Sequence, residues 1–174
     1  MRYFLKLAAF CLSLGLAVTP AHAKPSEKDK ANELYRTWQP SIYQIRIMEN
    51  TSKDKTAIGS GFQISSDGLI ATNYHVVSFA VDAPERYKME FVGYDGATGP
   101  LKLIAVDVVH DLAIVKQEQP RSDTPFIPLS QQPTTQGTRL YSMGNPHDLG
   151  MAVVEGTYNG LLNRSLYERI FFSG

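Results

Sequence analysis

Residues 71–77 read Ala-Thr-Asn-Tyr-His-Val-Val, and residues 111–116 read Asp-Leu-Ala-Ile-Val-Lys. His75 closes one apolar run that is typical of a strand, and Asp111 opens another. An imidazole can take a proton from a hydroxyl near neutral pH, and a carboxylate can fix its tautomer and stabilise the imidazolium. His75 and Asp111 are therefore the candidate catalytic residues, and they are predicted to activate a nucleophile.

Short runs of strand-forming residues surround these two stretches on both sides. Residues 58–64 and 69–73 are predicted strands joined by Asp67-Gly68, which is a strong hairpin signal. Residues 101–108 and 112–116 are predicted to pair with each other. The other predicted strands cover residues 41–48, 87–94, 137–143, 150–158 and 169–172. Many short strands separated by turn signals predict an all-β fold, either a barrel or a sandwich.

Only one helix is predicted after residue 23. Leu34, Tyr35 and Trp38 are spaced to share one face of a helix over residues 31–38. Directly after His75 the sequence predicts no more than a short helical turn.

The first 23 residues have the pattern of a secretory signal peptide. Arg2 and Lys6 precede an apolar core at residues 7–18, and the segment ends in Ala-His-Ala, a small-x-small cleavage motif. The core is shorter than the roughly 20 residues that a membrane-spanning helix needs. We therefore expect cleavage after residue 23 and no stable membrane insertion afterwards. An uncleaved N-terminal anchor is the alternative.

Residues 24–174 have a nearly neutral charge and contain no cysteine. They carry 15 basic and 17 acidic residues, a net charge of −2, because Arg2 and Lys6 lie in the first 23 residues. This balance gives no electrostatic footprint for nucleic acid and no basic patch for lipid. The only cysteine, Cys11, also lies in the predicted signal peptide, so no disulfide is expected. Export without disulfides favours a periplasmic or secreted bacterial protein.

Four motifs in a fixed order resemble those of trypsin-like serine proteases of the HtrA/DegP type. Any one of them alone is weak, but the ordered set is specific, and the resemblance covers roughly residues 42–174. It implies the two-barrel chymotrypsin fold, a catalytic histidine at His75, a catalytic aspartate at Asp111, a polypeptide substrate, and neither cofactor nor metal. The motifs are Gly-Ser-Gly-Phe at 59–62 with Asp-Gly at 67–68, Thr-Asn-Tyr-His-Val-Val at 72–77, Asp-Leu-Ala-Ile-Val at 111–115, and Met-Gly-Asn-Pro at 143–146.

The sequence pattern divides the chain into a leader, a tether and a third segment, which the resemblance identifies as a peptidase domain. The expected segments are the signal peptide at 1–23, a tether with a short helix at 24–40, and the trypsin-like domain at 41–174. Within that domain the first barrel is expected to be complete at 41–118. A proline-rich crossover then leads to an incomplete second barrel at 124–174.

The family's Gly-x-Ser-Gly-Gly motif, which supplies the nucleophile and the oxyanion-hole amides, does not occur in the sequence. We expect this serine to follow Gly174 and the 174 residues alone to be inactive. Ser60 precedes the histidine, Ser142 lacks a nucleophile elbow, and Ser173 lacks the following Gly-Gly, so structural roles are expected for all three.

Several other residues near these motifs are assigned structural roles. Asp107 is expected to be a solvated turn residue, whereas Asp111 is expected to be buried with His75 as its partner. Gly59 and Gly61 are expected to let a neighbouring strand approach closely. A zinc site at His110 and His147 is not expected, because residues 24–174 contain three histidines, no cysteine and no His-x-x-x-His spacing.

Two functions compete with that of an endopeptidase. The first is a non-catalytic trypsin-like module that binds polypeptide as a chaperone or scaffold. It would retain the fold and lose a triad residue. The second is a sugar- or metal-binding β-barrel, for which the sequence offers no ligand cluster. The sequence predicts neither the cleavage specificity, nor a PDZ domain, nor the oligomeric state.

Overall fold

The computed structural model describes residues 27–144, 150–162 and 170–173. The predicted signal peptide, His147 and residues 145–146 of the Met-Gly-Asn-Pro motif lie outside these ranges. Within the described ranges, no helix has the length and apolar character that crossing a bilayer requires. The helices are α1 (Glu27–Trp38) and α2 (Tyr74–Asp82), and a 3₁₀ turn (Gln39–Ser41) follows α1. The strands are β1 (Ile42–Glu49), β2 (Lys55–Gln63), β3 (Leu69–Thr72), β4 (Tyr87–Val92), β5 (Thr98–Asp107), β6 (Leu112–Gln117), β7 (Arg139–Gly144), β8 (Ala152–Leu161) and β9 (Ile170–Ser173).

Strands β1 to β6 form a closed antiparallel barrel in the order β1-β2-β3-β6-β5-β4. Alternating apolar residues fill its interior, since successive side chains of a strand point to opposite faces. Ile45, Ile47, Ile70 and Val115 are completely buried there. The predicted hairpin at Asp67-Gly68 joins β2 to β3, and β5 pairs with β6 as expected. The structure therefore confirms a complete first barrel.

Helix α2 follows β3 and packs against the barrel. The sequence prediction of a single helix is wrong here, because α2 is nine residues long rather than a short turn. Its central residues Val76 and Val77 are β-branched and locally favour strands. Both are buried in the barrel core together with Ala80, and this burial stabilises the helix despite their local preference.

Gly59 makes room for this helix. A Cβ atom on Gly59 would lie 2.7 Å from Cγ1 of Val76 and closer still to Cγ2. The expectation that a strand approaches Gly59 is therefore wrong, because its close neighbour is a helical side chain. At Gly61 the expectation is correct, since a Cβ atom there would lie 3.1 Å from the carbonyl oxygen of Ala71 on β3.

Strands β7, β8 and β9 form a separate antiparallel sheet in sequence order. They correspond to the strands predicted for the second barrel, and no described residue of the three is buried. The crossover between the two sheets runs back along the first barrel, where Ile127 N–H donates to the carbonyl of Gln63 at 2.8 Å. The described residues thus form one closed barrel and one open three-stranded sheet.

Candidate active site

His75 lies at the junction between β3 and α2. Asn73 is the N-cap position of the helix, so His75 is its second residue. The junction is tied to β2, because the Thr72 hydroxyl donates to the carbonyl of Ser60 at 2.8 Å. Val76, the residue after His75, packs against Gly59. These contacts fix the backbone of His75 relative to the barrel wall.

Asp111 lies in the turn between β5 and β6, in a left-handed backbone conformation. Its φ is 55°, which is uncommon for residues other than glycine but better tolerated by asparagine and aspartate. The turn meets the start of α2, since Tyr74 N–H donates to the carbonyl of Asp111 at 3.2 Å. The two segments that carry the candidate residues are therefore in direct backbone contact.

The carboxylate of Asp111 contacts His75 through both of its oxygens. His75 Nδ1 lies 2.7 Å from Oδ2, and the backbone N–H of His75 donates to Oδ1 at 2.9 Å. The first helical residues normally lack partners for their N–H groups. Here Asp111 accepts from both Tyr74 and His75, so it caps α2 from a different segment of the chain.

These contacts determine the protonation pattern of the pair. Desolvation acts against the charged carboxyl group of Asp111, but hydrogen bonds from the backbone and ring of His75 and from Asn73 outweigh it. The pKa of Asp111 consequently lies below its usual range. An ionised carboxylate only accepts hydrogen bonds, so Nδ1 of His75 carries the proton. In neutral His75 the lone pair is then on Nε2, where a general base needs it.

Both side chains of the pair are accessible to solvent. The His75 side chain is 69% exposed and that of Asp111 is 41% exposed. The prediction of a buried Asp111 is therefore wrong. The carboxylate is stabilised by N–H donors converging on it rather than by removal from water.

A second histidine–aspartate pair lies next to the first along the chain. His110 Nδ1 is 2.6 Å from Oδ2 of Asp107, and the His110 backbone N–H donates to Oδ1 at 3.0 Å. Asp107 is exposed, as predicted, and it is the last residue of β5 rather than a residue within the following turn. Across the described parts of the chain, no three histidine, cysteine, aspartate or glutamate residues are grouped so that they could hold a metal ion.

None of the three serines considered from the sequence is bonded to His75. The carbonyl of Ser60 accepts from Thr72, and the Ser173 hydroxyl accepts from Asn159 at 2.8 Å. Ser142 is exposed on β7. Within residues 27–144, 150–162 and 170–173, no side chain hydrogen-bonds Nε2 of His75.

Asn73 is a residue of the candidate site that the sequence motifs did not single out, although it belongs to the Thr-Asn-x-His motif. Its Nδ2 donates to the carbonyl of Asp111 at 3.0 Å and lies 3.3 Å from Oδ2 of the same residue. The only local signal was an amide side chain directly before a helix start, which normally indicates an N-cap.

Comparisons with known proteins agree with this architecture. The sequence profile of the family described as "Trypsin-like peptidase domain" matches residues 59–173. A protein of Brucella suis named as a DegP-like periplasmic serine endoprotease is 36% identical over 101 residues, which are 58% of this chain and 18% of that protein. Serine protease HTRA1 of Xenopus laevis is 32% identical over 101 residues, covering 58% of this chain and 20% of that protein. The matched region is thus about a fifth of each relative.

Solved structures share the same fold. The crystal structure of the serine endoprotease from Yersinia pestis superposes with a TM-score of 0.64 at 24% identity, over 80% of this chain and 46% of that one. The crystal structure of Deg5 superposes with a TM-score of 0.66 at 21% identity, over 87% of this chain and 77% of that one. These likenesses confirm the trypsin-like fold that the sequence motifs implied.

Proposed function

Because this chain belongs to the family of trypsin-like peptidase domains, we propose that it carries the proton-transfer pair of a serine endopeptidase. One observation carries the proposal. Asp111 contacts both the backbone N–H and Nδ1 of His75, and so directs the Nε2 lone pair away from itself. That arrangement suits a general base that acts on a hydroxyl group.

In this reaction Nε2 of His75 removes the proton of a serine hydroxyl while the serine oxygen attacks the scissile carbonyl carbon. The imidazolium that forms is stabilised by the ionised carboxylate of Asp111. Nε2 then returns the proton to the leaving amine as the peptide C–N bond breaks. Water repeats the sequence on the acyl-enzyme and regenerates the serine.

The nucleophile in this proposal is a serine outside the 174 residues. No Gly-x-Ser-Gly-Gly motif occurs within them, and none of Ser60, Ser142 and Ser173 is bonded to His75. In this proposal the oxyanion-hole amides also lie outside the 174 residues. The division into a leader at 1–23, a tether at 24–40 and a peptidase domain from residue 41, with its first barrel at 41–118, belongs to the same proposal.

The proposed substrate is polypeptide in the bacterial periplasm. The relative from Brucella suis is named as periplasmic, and residues 1–23 have the pattern of a signal peptide. N-terminal sequencing of the protein from a periplasmic extract tests the compartment. Export predicts a mature chain beginning at Lys24, whereas a retained Met1 would contradict it.

The activity is tested by incubating the intact protein with an unstructured polypeptide such as casein, with and without EDTA. We expect cleavage in both conditions and covalent labelling of one serine by a fluorophosphonate. Binding of casein without cleavage or labelling would replace the endopeptidase with the polypeptide-binding module. Cleavage that EDTA abolishes would contradict the serine mechanism.

A further inference from the structure

Asn73 occupies the N-cap position of α2 but does not cap the helix. Its backbone has the extended conformation expected at this position, with φ −86° and ψ 147°. Its side chain nevertheless makes no capping hydrogen bond. An N-cap asparagine normally accepts a hydrogen bond from the second or third helical N–H with its side-chain oxygen. Here the side chain is directed across to the β5–β6 turn instead.

The Asn73 amide contacts two acceptors on one residue. Nδ2 lies 3.0 Å from the carbonyl oxygen of Asp111 and 3.3 Å from its Oδ2. Both atoms only accept, so the group facing them must be the NH₂ group, which has two hydrogens to donate. Serine or threonine would supply one hydrogen, and aspartate in its ionised form would supply none. Among side chains of this length, only asparagine satisfies both contacts.

The two contacts constrain different parts of Asp111. The bond to the carbonyl acts on the left-handed backbone of the turn, where φ is 55°. The contact with Oδ2 acts on the same oxygen that accepts from Nδ1 of His75. Without the amide, the carboxylate would keep only its His75 partners, and its rotation would be less restricted.

The cap that Asn73 does not provide comes from Asp111. The N–H groups of Tyr74 and His75 donate to the carbonyl and the carboxylate of Asp111. All of these hydrogen bonds have their donors at the helix start and their acceptors on Asp111. Because the Asn73 side chain does not cap the helix, it can hydrogen-bond Asp111, which provides the cap.

We infer that Asn73 is a positioning residue, whose amide fixes the backbone and the carboxylate of Asp111 and thereby the orientation of the His75 ring. The effect on catalysis rests on the proposed function. The effect on the His75 ring does not, because the hydrogen bonds exist whether or not the protein cleaves peptides.

The chain offers a matched control at Asn50. Its Nδ2 also donates to a backbone carbonyl far away in sequence, that of Glu85, at 2.9 Å, and it has no contact with the histidine pair. Replacing Asn50 therefore removes a long-range amide–carbonyl bond of the same kind without touching the candidate site. The test compares Asn73→Ala and Asn73→Asp with Asn50→Ala and Asn50→Asp in the intact protein.

The first measurement is the NMR spectrum of the His75 ring. In the parent protein, we expect ¹⁵N shifts that report a proton on Nδ1 and a resolved low-field resonance of the Nδ1–H proton. We expect Asn73→Ala and Asn73→Asp to broaden that resonance and mix the two tautomers, whereas the Asn50 variants leave both unchanged. Asn73→Ser keeps one donor and is expected to be intermediate. It also serves as the second variant if the others fail to fold.

The second measurement is casein cleavage. A small displacement of a catalytic group can lower the rate about 10²-fold, so we expect a fall of about that size in kcat for Asn73→Ala with KM nearly unchanged. The Asn50 variants should stay within about twofold of the parent protein.

An unchanged His75 spectrum in folded Asn73→Ala or Asn73→Ser would overturn the inference. So would Asn50 variants that alter the spectrum and kcat as much as the Asn73 variants, because the effect would then be one of general stability. If the intact protein cleaves nothing, the proposed function fails, and the spectrum alone decides the role of Asn73.

Discussion

The pairs His75–Asp111 and His110–Asp107 have nearly the same local geometry but are built in different ways. In each, one carboxylate contacts the backbone N–H and Nδ1 of one histidine, at 2.9 and 2.7 Å in the first pair and 3.0 and 2.6 Å in the second. In each, the pKa of the carboxyl group is lowered. The first pair joins residues 36 apart, and the second joins residues three apart within one turn.

The difference lies in what holds each histidine. His110 and Asp107 belong to the same short turn, so their contact requires only local backbone geometry. His75 begins a helix that is packed against the barrel through Val76 and Val77, and Asp111 reaches it from another hairpin. A histidine–aspartate distance is therefore weak evidence for catalysis by itself. The surrounding fold distinguishes the candidate general base from a local turn contact.

The largest contrast is expected from replacing each histidine with alanine in the intact protein. His75→Ala removes the proposed general base and should lower kcat for casein by about 10⁶-fold. His110→Ala removes the contact with Asp107 and should leave kcat within about twofold. Initial cleavage rates measure both, with circular dichroism to verify folding. Equal losses in the two variants would show that the turn pair shares the function.

Replacing the carboxylates provides the next contrast. Asp111→Asn should lower kcat by about 10⁴-fold, because the amide no longer fixes the Nδ1–H tautomer of His75. Asp107→Asn should have little effect on cleavage. The ¹⁵N shifts of the two histidine rings should show a tautomer change at His75 in the first variant and at His110 in the second. A parent-like rate in Asp111→Asn would contradict the assignment of Asp111.

A smaller effect is expected at Gly59, which supports only the first pair. Gly59→Ala places a methyl group against Val76, and such overpacking typically costs about 1–3 kcal/mol in the free energy of unfolding. We expect the resonances of His75 to shift and those of His110 to stay in place. Denaturant unfolding measures the cost, and Val76→Ala in the same chain should recover part of it. A variant as stable as the parent protein would show that α2 moves aside freely.

The smallest effect concerns stability at acidic pH. Both carboxyl groups have lowered pKa values in the folded protein. The pKa of Asp107 is lowered chiefly by the hydrogen bond from the His110 side chain. Desolvation raises the pKa of Asp111, but the hydrogen bonds from His75 and Asn73 outweigh it. Their contributions are therefore present above the unfolded pKa of about 3.9 and are lost as the pH falls through the folded pKa.

Urea unfolding from about pH 6 to pH 2 tests this sign. The stability advantage of the parent protein over Asp111→Asn should shrink as the pH falls below about 4, and likewise for Asp107→Asn. We expect the larger change for Asp111, because its contacts join two segments rather than one turn. A stability advantage of the parent protein that grows as the pH falls would contradict this expectation.

The barrel and the candidate pair could be predicted from the sequence because both leave local signals. Asp67-Gly68 predicts the hairpin between β2 and β3, and the alternating isoleucines predict β1. The motifs around His75 and Asp111 predict that these two residues form a pair. The individual strands could be predicted without information about their neighbours, since turn residues and alternation of apolar side chains are properties of short segments.

The features that were missed depend on contacts between distant segments. The length of α2 follows from burial of Val76 and Val77, which favour strands locally. The neighbour of Gly59 is a helix that was not predicted. The donor role of Asn73 depends on the position of the β5–β6 turn in the folded protein. In the sequence, Asn73 resembles an ordinary N-cap residue.

The cap that Asp111 provides for α2 also has a consequence for the order of folding. A nine-residue helix is too short to persist alone in water, and the partners of its first N–H groups arrive from a hairpin that follows it in sequence. We therefore expect the helix to become stable only when the β5–β6 hairpin packs beside it. A chain in which this hairpin has not yet formed has no preformed histidine–aspartate pair, so we expect the candidate site to form together with the barrel.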